Sequence, residues 1–69
     1  MTMQNDENNS DNLELIDKLK GISEQLADKA LDALKQAHAA GESKRPEIER
    51  TLTQARRAVE KAISLLIRD

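Results

Sequence analysis

With 69 residues, no cysteine and no aromatic side chain, the chain has room for at most one small domain. It lacks disulfides, thiolate chemistry and the large rings that usually dominate cores and interfaces. Charged residues make up 35% of it and the net charge is only −2, which argues against a membrane span, a secretory signal and a strongly polyanion-seeking surface alike. Burial has to come from fifteen Leu, Ile and Val together with nine Ala, so the expected protein is a cytoplasmic one that completes its core by association and carries no cofactor.

Residues 1–10 are polar and acidic and are read as a disordered tail, because nothing there offsets the entropy of ordering. A helix start is expected at Asp11, whose carboxylate can accept from the amide of Glu14 while Glu14 reaches back, the reciprocal arrangement of a capping box. Helix 1 then runs over about residues 12–40. Leu15, Leu19, Ile22, Leu26, Ala30, Ala33 and Ala37 recur at steps of four and three, and Ile16, Leu31 and Leu34 widen the stripe. That is a helical period with one broad apolar face. Its two successive eleven-residue steps, from Leu15 to Leu26 and on to Ala37, favour nearly straight packing over a sustained left-handed supercoil. Gly21 costs about 1 kcal/mol relative to alanine in a helix, yet the apolar phase continues across it. One helix with a soft point is expected there. The alternative is a break, with Ser23 capping a new helix in a three-helix domain.

Gly41 follows the Ala-rich end as a typical helix-stopping residue, and a short turn over residues 41–45 leads to a second helix over about 46–67. Pro46, Glu47 and Glu49 suit its first turn. Its stripe is Ile48, Leu52, Ala55, Val59, Ala62 and Leu66, a regular heptad pattern, and Ile63, Leu65 and Ile67 extend the apolar surface almost all round the last turns. The fold expected over residues 11–69 is therefore all-α: an antiparallel two-helix hairpin that dimerises into a four-helix bundle. The expected oligomer interface is Leu15, Leu19, Ile22, Leu26, Ile48, Leu52, Val59, Ile63 and Leu66.

Charge is distributed unevenly. Residues 1–43 hold nine acids against four bases, whereas residues 44–69 hold seven bases against four acids. Opposite the stripe of the second helix, Arg50, Arg57, Lys61 and Arg68 form a ridge that could meet an acidic protein or track phosphates. Glu49 and Glu60 are expected to flank that ridge and dilute its field. On the first helix Glu24, Asp28 and Asp32 form an acidic row facing outward. The metal-binding bundles built from helical carboxylates need acids that project inward and a His three residues after a Glu. Here the residue three before His38 is Lys35. His38, the single histidine, reads as a surface or capping residue near Glu42, since no activated Ser or Cys accompanies it.

No catalytic, cofactor-binding or metal site is expected, and the chain does not read as an enzyme. The favoured function is a protein–protein interaction or scaffold module acting as a homodimer, with itself and an unidentified protein as partners and no membrane. The alternative is a small regulatory nucleic-acid-binding bundle using the basic ridge. The absence of aromatic residues to stack on bases counts against single-stranded nucleic acid.

Overall fold

The computed structural model describes the backbone of residues 4–67 and the side chains of residues 12–67. Two helices, α1 over Gln4–Ala39 and α2 over Glu47–Ile67, pack against each other as a hairpin, and no strand occurs among the described residues. Among the described residues no helix is long and apolar enough to cross a membrane.

Helix α1 begins at Gln4, well ahead of the start expected at residue 12. Neither Gly nor Pro occurs before Gly21, so no backbone breaker separates the first polar residues from the amphipathic segment. The expected tail over residues 1–10 thus overlaps α1 from Gln4, while residues 1–3 and the capping side chain of Asp11 lie outside the described residues. Helix α1 is also unbroken at Gly21, which removes the three-helix alternative: one glycine costs less than the contacts that continue on either side of it.

The turn is built locally. Gly41 takes a positive φ of 81°, the left-handed conformation that glycine adopts without strain. The amide of Glu42 donates to the carbonyl of Ala37 at 3.0 Å, and the amide of Gly41 donates to that of His38 at 2.9 Å. Those two bonds are the Schellman arrangement, which satisfies carbonyls left over at the helix end. On the other side, the carbonyl of Pro46 accepts from the amides of Glu49 and Arg50. Pro46 therefore stands at the cap, one residue before α2, where its missing amide costs nothing.

The face that α1 turns toward α2 differs from the expected stripe. Most buried and half-buried positions, Asn12, Ile16, Leu19, Ser23, Leu26, Ala30, Ala33 and Ala37, fall at alternating steps of four and three, with Gly21 and Ala27 half-buried beside them. This heptad row replaces the eleven-residue steps, which depended on counting Leu15 and Ile22 as inward; those two are 48% and 44% exposed. Leu19 and Leu26 belong to both readings. The second column is decided by Ile16 and Ser23, and Ser23 escapes an apolar pattern because it is polar. From α2, Glu49, Leu52, Val59, Ile63 and Leu66 line the same seam. The seam is thin. Among the described residues only Ile16 and Ala30 are buried apolar residues, and no side chain there is fully enclosed.

Candidate interaction surfaces

Among the described residues two polar side chains are buried in the seam, each at a position where a hydrophobic residue would be ordinary. Glu49 is 6% exposed, and α2 aims it inward near the turn. Its carboxylate accepts from the Arg45 guanidinium through both oxygens, and Thr53 Oγ1 donates to Oε2 at 2.9 Å. Those contacts hold Glu49 below its ordinary carboxylate range: the Arg45 hydrogen bond contributes most, and with the Thr53 hydroxyl and the nearby charges it outweighs burial. The same ion pair raises the pKa of Arg45. Position and partners make this a staple that ties the turn to the start of α2.

The second group lies midway along the hairpin. Ser23, 7% exposed, donates from Oγ to Glu60 Oε2 at 3.4 Å and accepts from Arg56 Nε at 3.4 Å. Arg56 Nη2 and Glu60 Oε2 are themselves 3.3 Å apart, an i,i+4 pair. The three residues close a small polar network across the seam. No buried polar side-chain atom is left without a partner among the described residues, so the seam tolerates its polar layers.

These contacts redraw the charge pattern. Glu49 and Glu60, expected beside the basic ridge, are both engaged elsewhere: Glu49 is buried and paired with Arg45 and Thr53, and Glu60 accepts from Ser23 of α1 and pairs with Arg56. Arg50, Arg57 and Lys61 remain on the outward face of α2, exposed and without an ion pair among the described residues. Arg68, the fourth member of that ridge, lies outside the described residues. On α1 the acidic Glu24, Asp28 and Asp32 are exposed, as is His38, which makes no ion pair with Glu42 among the described residues.

Of the nine residues expected at an oligomer interface, the hairpin itself uses six. Leu19, Leu26, Leu52, Val59, Ile63 and Leu66 are half-buried between the helices, whereas Leu15, Ile22 and Ile48 face outward. Leu13, Leu31, Leu34, Leu65 and Ile67 are exposed as well. The grooves beside the seam are shallow and open. One is bounded by Lys29, Ala33, Gln36, Ile48 and Leu52, another by Lys20, Ser23, Glu24, Arg56 and Glu60. No cluster of three or more His, Cys, Asp or Glu positioned to hold a metal occurs among the described residues.

What sequence reasoning missed is the polar content of the seam: Ser23, Glu49 and Arg56. A signal was present in the spacing, since Glu49, Arg56 and Ile63 follow one another at seven-residue steps. Comparison of the chain with family models, with curated proteins and with solved structures gives no match.

Proposed function

We propose that this chain is a small, non-enzymatic interaction or scaffold module that works in the cytoplasm as a homo-oligomer of helical hairpins, two hairpins forming a four-helix bundle. The observation that carries this reading is the imbalance of burial: eight large aliphatic side chains are exposed among the described residues, while no side chain there is fully enclosed. A hairpin with so little core gains more from covering its apolar flank than from any rearrangement within itself. The acidic row of α1 and the basic ridge of α2 then stay on the outside of the bundle, available to a protein partner. The absolute mass in solution by light scattering, over a range of protein concentrations, tests the reading. A stable dimer supports it, and a cooperatively folded monomer at every concentration rejects it.

A second reading has one observation in its favour. Arg50, Arg57 and Lys61 share an exposed face and make no ion pair among the described residues, a pattern that suits contact with phosphates in a nucleic-acid-binding bundle. Titration with duplex and single-stranded oligonucleotides at two salt concentrations separates the readings. Nucleic-acid binding that weakens steeply with salt, and that is lost when Arg50 and Arg57 are replaced by Glu, would favour the second.

A further inference from the structure

Beside the seam, uncharged side chains form a second row on α2. Ile48, Thr51, Ala55, Ala58, Ala62 and Leu65 follow one another at alternating steps of three and four residues, the spacing of a helix-packing seam. Ile48 and Leu65 at its ends are 59% and 56% exposed. Thr51 and Ala58 are exposed, Ala55 and Ala62 half-buried. No member carries a charge, although charged residues crowd the rest of α2. On α1, Leu15 and Ile22 stand at seven-residue steps from Lys29, which borders the same groove as Ile48. They flank this side of the hairpin and enlarge its apolar surface.

Two properties of the row indicate what covers it. The first is symmetry. Read from either end, the row is large at the outside and small in the middle, and its spacing is the same in both directions. A second α2 laid antiparallel about a two-fold axis between Ala55 and Ala58 sets Ile48 against Leu65, Thr51 against Ala62, and Ala55 against Ala58. Each pairing then occurs twice, as a self-complementary interface requires, and the central alanines let the two backbones approach closely. The second property is charge. Helix α2 opens on an acidic first turn with Glu47 and carries Lys61 toward its other end. Antiparallel pairing brings Glu47 of each helix toward the half of the other that bears Lys61, and it opposes the two helix dipoles. Parallel pairing would set Glu47 beside Glu47 and Lys61 beside Lys61.

We propose that this row is the docking site for α2 of a second copy of the chain, packed antiparallel in that register as the central contact of the four-helix assembly. The proposal deepens the homo-oligomer reading and rests on it.

The chain has no cysteine of its own, so cross-linking reads the register directly. Thr51→Cys and Ala62→Cys chains are oxidised separately and as an equal mixture, with light scattering on the same reduced samples. Facing positions on closely packed helices fall within the roughly 4.4–6.8 Å between Cα atoms that a disulfide spans. The expected result is a dimeric mass, with mixed Thr51→Cys to Ala62→Cys disulfides several-fold more abundant than either self-linked species. A dimeric mass with Thr51→Cys linking chiefly to itself, or with no cross-link at all, overturns this docking site and leaves the homo-oligomer reading standing. A monomeric mass at every concentration overturns both.

Discussion

Arg56 crosses the hairpin to Ser23, its Nε 3.4 Å from the serine Oγ, and so places a guanidinium at a seam position where a leucine would be ordinary. Polar residues at such positions cost stability and fix the register of paired helices. Replacing Ser23 by Ala is expected to destabilise the hairpin by about 0.5–1.5 kcal/mol, since both contacts are long and Arg56 keeps access to water. Ser23→Leu is expected to act the other way, strengthening the seam at some loss of unique register. Chemical denaturation followed by circular dichroism checks both signs, and a loss above about 3 kcal/mol in Ser23→Ala would show that the network matters more than its geometry suggests.

Acidification should weaken the fold through Glu49. Its pKa is lowered in the folded chain, chiefly by the Arg45 hydrogen bond, so the stability it contributes is fully present above the ordinary value of 4.5. That contribution is lost as pH falls through the lower, folded-state value. Denaturation midpoints measured from neutral pH down to about pH 3 should therefore drop in the acid range. In Glu49→Gln the neutral-pH midpoint should already be lower and the acid-range decline shallower.

The two glycines respond to alanine with opposite signs. At Gly21, inside α1, a Cβ would meet nothing within 4 Å, and Gly21→Ala is expected to stabilise by about 1 kcal/mol through helix propensity alone. At Gly41 the added Cβ is equally free of neighbours, but the positive φ of 81° makes an L-residue strained by about 1–2 kcal/mol. Thermal melts of the two variants, with Gly41→Asn as an intermediate case, test whether backbone conformation rather than space decides the outcome.

Seam and flank should separate in mutagenesis. Val59 is half-buried against α1, and Val59→Asp is expected to cost about 3 kcal/mol or more by placing a charge in the seam, abolishing helicity and association together. Ile48 faces outward, so Ile48→Ser should leave the intrahairpin contacts intact and lower the association constant. Sedimentation and circular dichroism over a concentration series distinguish the two: the first variant loses its helical signal at all concentrations, whereas the second keeps it and shifts only its association to higher concentration.

Much of this architecture can be read from residue spacing. Gly41 and Pro46 mark the turn because each has one strong backbone preference, and the inward row of α2 follows Leu52, Val59 and Leu66 at regular steps. The orientation of α1 about its axis is not legible in the same way. Leu15 and Ile22 compete with Ile16 and Ser23 for the inward column, and an apolar pattern favours the first pair because it contains no serine. In the orientation observed, Ser23 meets Arg56 and Glu60, a relationship between residues more than thirty positions apart that no local pattern records. The same blindness affects Glu49: its charge suggested a solvent-facing neighbour of the basic ridge, while its Arg45 and Thr53 partners make an inward position tolerable.

The Schellman turn at Gly41 also bears on time. Because the link between the helices is short and stabilised by its own hydrogen bonds, the first contacts to form join residues close in sequence, and pairing can extend from the turn toward the open end. Chains with such local topology cross their folding barrier quickly, on the microsecond-to-millisecond scale. With a core this thin, they also recross it often. A hairpin of this kind would have a short individual lifetime, and an assembly made from it would exchange subunits readily, so that its composition could follow changes in the supply of chains without being fixed when they are made.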